Sequence, residues 1–421
     1  MVLRARKRTK KDGRGRDAGS AQRSSREWAA RGGLALGFAV LGYIGTASSL
    51  AHVVAKADPM RAHLMAPNNG VILAEYAQKS FSLSPAKESN SPPADLARKA
   101  LLADPTTADA LTVLGFQAQL RGDTAEADRI FSYSTAISRR ELRPRLWAIE
   151  ESVGRGDIAG ALRNYDIALR TSGDAADLLF PSLSAALAEP RIRAALLPIL
   201  ATEPVWKDGF IAYAANSGIE PEGAIALFQE GRRSGLEPSD DLRANLVNAL
   251  VRQNQRSEAW AFYRTFRPGV RHDRSRDPNF ALATPVKSVF DWQAGVDTRL
   301  SVAILQQGDG GLLDFSVPPS VGGELVSQTQ LLPPGSYRLE GESRGIDQPE
   351  RSRPYWSLTC QDGRELGRVV LPNSDRNSGR FIGQFDVPAG CTSQILTLVA
   401  RSTDDIMGVS GQIENAILRP L

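Results

Sequence analysis

The residues that could do chemistry are few. Three histidines are present, His52, His63 and His272. His52 falls inside an apolar run, His63 just after it and His272 in a polar stretch. None pairs with another at a spacing that suits a metal or a general base. No Walker-type loop, GxSxG or HExxH occurs. Gly308–Gly311 (GDGG) reads as a turn between strands, not a phosphate cradle, because no helix start follows it. Asp404-Asp405 reads as a loop, with a calcium-ligand role as the alternative. Catalytic, cofactor-binding and metal residues are therefore assigned to none. A glycan-acting enzyme stays open as a competing reading; it would need two carboxyls about 5–10 Å apart in an aromatic-lined cleft.

Two cysteines, Cys360 and Cys391, both lie near the C-terminus. Outside the cytoplasm they would form a disulfide, worth on the order of 3 kcal/mol for the loop it closes. Two buried free thiols are the alternative. Without a nearby His the pair makes a poor metal set. The aromatics placed to stack on a sugar are Asp291-Trp292 and Tyr355-Trp356, although core packing competes for each. Strand alternation sends Tyr355 and Trp356 to opposite faces, so at most one of the two can be core.

These residues need elements to carry them. The chain has 421 residues, enough for two or three domains. Of its 51 Lys/Arg and 47 Asp/Glu, 11 and 3 fall in residues 1–31, which leaves 40 and 44 for the rest. The tail, including Arg4–Arg16, is strongly basic and the body mildly acidic. A body without a basic face argues against nucleic acid as a partner.

Residues 32–55 contain no Lys, Arg, Asp or Glu over 24 positions. As a helix they would be about 36 Å long, enough to cross a bilayer core. Eleven basic residues precede the run, against Lys56 and Arg61 just after it. That asymmetry predicts a single-pass inner-membrane protein with a cytoplasmic N-terminus and the remainder extracytoplasmic, periplasmic in a Gram-negative-type cell. His52 would sit at the outer interface. A cleaved signal peptide competes, since Ala55-Lys56-Ala57 is a small-x-small triplet. A buried globular helix is the third reading.

The middle of the chain repeats itself. Gly122-Asp123 recurs 34 residues on as Gly156-Asp157, Ala127 as Ala161, Phe131 as Tyr165 and Ser134 as Ala168. With Leu114-Gly115 and Pro105, this pattern resembles the tetratricopeptide repeat, and it resembles it over roughly residues 58–268. Ala195 and Ile199, then Ala224, Phe228 and Gly231, then Ala259 and Tyr263 continue it in degenerate form. Ala66-Pro67 looks like a partial unit, and Ser80–Pro93 reads as an insertion loop. The resemblance implies an α-helical hairpin array that binds protein partners. Trp147, Trp206 and Trp260 read as wedges between helices. Arg139-Arg140 and Arg145 read as a solvated face, or as a cap for acidic peptides.

Residues 269–278 read as a linker. Beyond it the period changes from 3.6 to 2. Nine strands are predicted: 300–305, 312–317, 325–332, 337–343, 355–360, 368–371, 381–387, 394–400 and 412–418. Over 279–421 the order of RDPNFALA, PPGSYRLEGESRG, FDVPAGCTSQILTLVA and GQIENAILRPL resembles a jelly-roll of the carbohydrate-binding-module type. That resemblance implies an all-β sandwich, a first segment lying beside the closing strand, and polysaccharide as a partner. The whole reading is a non-enzymatic envelope scaffold, with exopolysaccharide assembly or export as its expected setting and a purely structural adaptor as the alternative.

Overall fold

Helix boundaries in this chain are set by a repeated local device. In the computed structural model, which describes residues 25–421 apart from 309, Gly122 and Gly156 have φ of 80° and 71°. Each ends a helix, α5 (Ala108–Leu120) and α7 (Leu142–Gly154) respectively. The following aspartate then donates its N–H back five residues, Asp123 to the Ala118 carbonyl at 3.0 Å and Asp157 to that of Ser152 at 2.8 Å. This is the left-handed helix stop that glycine makes inexpensive. The same aspartates cap the next helices, α6 (Thr124–Ile137) and α8 (Ile158–Thr171), by accepting N–H groups from Glu126 and Gly160. A third copy is Asn254-Gln255, with Asn254 at φ 66° and Gln255 N–H bonded to the Leu250 carbonyl at 2.9 Å. It joins α13 (Asp240–Arg252) to α14 (Arg256–Phe266). The glycine pattern missed it because asparagine replaces glycine.

The chain forms two compact units, divided after Trp147. In the first, α1 (Ser25–Ala55) is followed by α2 (Pro59–Met65), α3 (Gly70–Leu83), α4 (Pro92–Ala103), α5 and α6. α1 is long and apolar enough to cross a membrane by length and composition. The strongly basic run Arg4–Arg16 lies outside the described residues. α5 and α6 pack through Gly115: a Cβ there would lie 2.5 Å from the Phe131 ring. Phe131 in turn meets Phe116 at 5.1 Å and Trp147 at 4.8 Å between ring centres. Ala127 is fully buried. The glycine of the Leu-Gly pair and the aromatic position thus meet in one contact, with the small-residue position buried on the same helix as the ring. Residues 84–91 are the irregular part of the expected insertion loop; its ends are absorbed into α3 and α4.

The second unit holds the rest of α7, α8, then α9 (Ala175–Ala185), α10 (Pro190–Leu200), α11 (Lys207–Ser217), α12 (Pro221–Gly231), α13 and α14, and the β-sandwich. Trp206 is buried and donates its indole N–H to Asp166 at 2.9 Å. All nine predicted strands form, preceded by a two-residue one, β1 (Gln293–Ala294). They are β2 (Ser301–Gln307), β3 (Gly310–Val317), β4 (Gly323–Gln330), β5 (Gly335–Arg344), β6 (Tyr355–Cys360), β7 (Glu365–Val370), β8 (Arg380–Val387), β9 (Gln394–Ala400) and β10 (Val409–Pro420). Two antiparallel sheets result, ordered β1-β4-β9-β6-β7 and β2-β3-β10-β5-β8. Their inward rows, among them Trp356, Leu358, Leu396 and Leu398 from one sheet and Leu313, Phe315, Leu339 and Phe385 from the other, make one core.

Cys360 at the end of β6 is bonded to Cys391, just before β9. The bridge closes the connection that carries β7 and β8. Replacing both cysteines by alanine should lower unfolding free energy by about 3 kcal/mol. Chemical denaturation of the oxidised protein and the double variant checks this. Gly115→Ala should cost about 1–3 kcal/mol by overpacking Phe131, and Phe131→Leu in the same chain should recover part of it.

Candidate functional site

β6 places its residues alternately on the two faces of its sheet, and that decides which aromatics can meet a ligand. Trp356 points inward with no exposed surface, and Trp292 is 1% exposed. Their rings lie 5.6 Å apart, and Phe280 packs on Trp292 at 5.3 Å. The Trp292 indole N–H is spent on the Asp277 carbonyl at 2.8 Å. Both tryptophans are core residues, which corrects the expectation of a sugar platform at 292 and 356. Neither indole has a face open to stack on a pyranose.

Tyr355 is the outward one of its pair and is half-buried. Its neighbours across the sheet are Val370 on β7 and Val399 on β9. Its ring is flanked by two guanidinium groups, Arg368 at 4.7 Å and Arg401 at 4.8 Å from the ring centre. Cations over an aromatic ring are held by its quadrupole. Arg368 is paired with Glu365, which sits three residues earlier. Arg401, just beyond β9, reaches the carbonyls of Glu350 and Arg351 at 3.5 and 3.4 Å and forms no carboxylate pair among the described residues. Along the same face, Ser357 is paired with Thr397, and Thr359 with Ile395, so a row of hydroxyls leads away from the arginines. The Ser357 and Thr359 hydroxyls are 3.4 Å apart. This face can donate hydrogen bonds from guanidinium and hydroxyl groups, but it cannot offer a bare aromatic platform.

The outer face of the opposite sheet bears a shallow hollow of about 820 Å³ lined by Glu340, Glu342, Arg380, Ile382, Asn415 and Ile417. Glu340 and Glu342 stand two residues apart on β5, about 6.6 Å along a strand. Such a separation suits a glycosidase pair. Each is instead tied to an arginine, Glu340 to Arg419 at 2.5 Å and Glu342 to Arg380 at 3.0 Å. Neither sits in the apolar enclosure that keeps an acid catalyst protonated. The one aromatic in the lining, Phe381, is a core residue. Asp404 and Asp405 lie in the loop before β10, as expected, and among the described residues no third ligand joins them.

The least expected polar cluster lies in the segment read as a linker. Arg276 is 3% exposed. Its side chain donates to the carbonyls of Phe290 and Thr329 and to Gln330 Oε1. Its own N–H and carbonyl are held by Gln328. Its guanidinium lies over Trp260 of α14 at 5.5 Å and Phe290 at 5.7 Å. Burial lowers its pKa to about 10, and the Asp291 carboxylate nearby opposes that shift. Nearby, Tyr263 of α14 donates its hydroxyl to Asp291 at 2.7 Å. Asp291 also accepts the Ser288 N–H and hydroxyl at 2.8 Å each. Burial first, then the Asp291 charge, raises the Tyr263 phenol above its ordinary value. Residues 275–278 run beside the end of β10: Ser275 N–H bonds Leu418 O and Ala416 N–H bonds Pro278 O, both at 2.9 Å. The first segment and closing strand therefore pair, as the jelly-roll pattern implies, and the connection is a packed joint.

No family model matches this chain, and no curated protein matches it. Similar solved structures include the enzymatically active domain of bacteriophage CBA120 tailspike protein 4, at 15% identity and TM-score 0.24 over 32% of this chain and 20% of that one. Others are the CBM22-1 xylan-binding domain from Paenibacillus barcinonensis Xyn10C, at 12% and 0.24 over 35% and 94%, and Pseudomonas aeruginosa pilF, at 17% and 0.23 over 47% and 77%. The chain thus spans a fifth of the tailspike domain. Nothing about ligand or activity passes to this chain from likenesses of that size.

Trp356→Ala should cost about 3–5 kcal/mol of stability, read by denaturant unfolding, because the indole fills core. Tyr263→Phe and Asp291→Asn should each cost about 1–3 kcal/mol. A double-mutant cycle should show the pair to be non-additive, since both changes act on the same hydrogen bond.

Proposed function

We propose that this chain is a non-enzymatic envelope scaffold: α1 anchors it in the inner membrane with a cytoplasmic N-terminus, the helices bind protein partners, and the sandwich binds an acidic polysaccharide outside the cytoplasm. The exposed apolar surface of α1 and the Cys360–Cys391 bridge support the anchored, oxidising setting. Assembly or export of a surface polysaccharide is the setting that joins these parts.

The observation that carries the glycan half is the Arg368–Tyr355–Arg401 stack. Guanidinium groups recognise carboxylates through paired N–H donors. Arg401 keeps N–H donors available while its face is occupied by the ring, whereas Arg368 directs its edge at Glu365. Uronate carboxylates offer the acceptors, and the half-buried Thr359 and Thr397 hydroxyls suit sugar hydroxyls further along the face. A neutral glycan would leave the Arg401 charge unused.

One feature favours a protein-binding role for the helices. An apolar hollow of about 140 Å³ lies among Val153, Ile158, Leu162, Tyr165, Leu183 and Ile192. Val153 is 63% exposed at its edge. The hollow has the size for one apolar side chain of a partner. An adaptor without any glycan would use this surface alone.

Calorimetry on the full chain in nanodiscs, titrated with a polyuronate and with neutral dextran, tests the proposal. Saturable binding to the polyuronate alone is expected, weakened about tenfold by Arg401→Ala, in line with loss of one charged hydrogen-bonded contact. Equal binding by wild type and Arg401→Ala would move the site elsewhere. No binding to either polymer would leave the adaptor reading, and release of reducing ends during the titration would favour an enzyme.

A further inference from the structure

We infer that α2 is an interfacial helix, seated on the outer leaflet's headgroup layer with Met60 and Leu64 turned into the lipid. The inference rests on reading α1 as a membrane span.

The geometry begins at the end of α1. One side of its last turns is taken by protein: Ala51 and Ala55 are buried against Ala62 of α2 and Ile72 of α3, with Val54, Met65 and Ala66 closing the cluster. His52 Nε2 lies 3.4 Å from Asn69 Nδ2. The other side is open, with Leu50 51% and Val53 73% exposed. The last residues of the apolar run are therefore already part of the folded unit, and no tether separates span from fold.

The turn after α1 is short. Asp58 donates its N–H to the Val54 carbonyl at 2.8 Å, and its carboxylate caps α2 at Arg61 N. Only residues 56–58 separate the two helices, a reach of about 10 Å at most. The headgroup layer on each side of the hydrocarbon is roughly 6–7 Å deep. A helix that starts so near the end of a span begins at the membrane surface.

The exposed side of α2 has the matching composition. Met60 is 58% exposed and Leu64 75% exposed, one helical turn apart. Arg61 lies between them and is paired only with Asp58 at its own helix start. Lys56 is exposed just before. Apolar side chains flanked by cations are what an interfacial helix presents to lipid. Leu50 and Val53 at the end of α1 and Met60 and Leu64 on α2 are all exposed apolar side chains within fifteen residues of one another, and the bilayer that α1 enters is the occupant that would cover them. Ala62 anchors α2 to the fold from its other side, so its tilt is set before it meets lipid.

Single-cysteine labelling in nanodiscs tests this, because both native cysteines are in the disulfide and an introduced one is the sole free thiol. An environment-sensitive fluorophore would be attached at Leu64→Cys, at Met60→Cys and, as reference, at Leu41→Cys within α1. The expected result is quenching at 60 and 64 by lipids carrying a headgroup-level quencher, with weak quenching by aqueous iodide. Leu41 should respond to acyl-chain quenchers. Full iodide quenching at 60 and 64 with Leu41 still protected would overturn the inference and leave the span intact. Loss of lipid quenching at all three positions would overturn the span as well.

Discussion

A cation without water around it sets the terms for the second unit. Arg276 is buried, and a guanidinium taken from solvent costs several kcal/mol unless its donors are met. Here they are met by carbonyls of Phe290 and Thr329 and by Gln330, while Trp260 and Phe290 cover its faces. Those partners come from the last helix, from the segment before β1 and from β4. The helix can therefore leave the sandwich only by stripping the arginine of its aromatic cover. Tyr263 and Asp291 add a second buried bond across the same junction. Asn248 of α13 adds a third contact, accepting the Val289 N–H at 2.8 Å.

This junction was the least legible part of the sequence. RPGVRHDRSRD is polar and rich in turn formers, and such runs usually stay solvated. Nothing in the residue types marks Arg276 as different from Arg271 or Arg274. Burial of one arginine among four is decided by Gln328 and Gln330, about fifty residues later, which point inward at positions where alternation would place apolar residues. A long-range polar pairing of this kind leaves no local pattern. The two tryptophans failed for a related reason. Trp292 follows Val289-Phe290-Asp291 in an irregular segment and precedes a two-residue strand, so no alternation reveals which way it faces.

What could be read was periodic. All nine strands were visible because each alternates, and the bonded cysteines lie at the ends of a loop that chain connectivity keeps short. The 34-residue repeat was visible because helix packing needs a small residue, a ring and a left-handed turn in fixed order. Gly115 against Phe131 shows that order as a single contact. The repeat faded where another residue solved the same problem. Asn254 takes a positive φ and Gln255 follows in place of aspartate, so the turn survives while its letters change.

The corrected position of Trp356 changes the chemistry expected of the sheet it belongs to. A tryptophan on the outer face would have provided an apolar platform and a preference for neutral sugar rings. With the indole in the core, the outer position falls to Tyr355, whose ring is already occupied on both sides by arginine. The energetic logic is then reversed. The ring holds both guanidinium groups, Arg368 together with the Glu365 carboxylate and Arg401 without one, so Arg401 keeps its charge available to whatever approaches. A carboxylate placed between β7 and β9 would quench that charge; the backbone carbonyls of Glu350 and Arg351 orient it instead. Charge held in place by a ring and by carbonyls favours an anion over a neutral group, which is the physical basis of the acidic-polymer proposal.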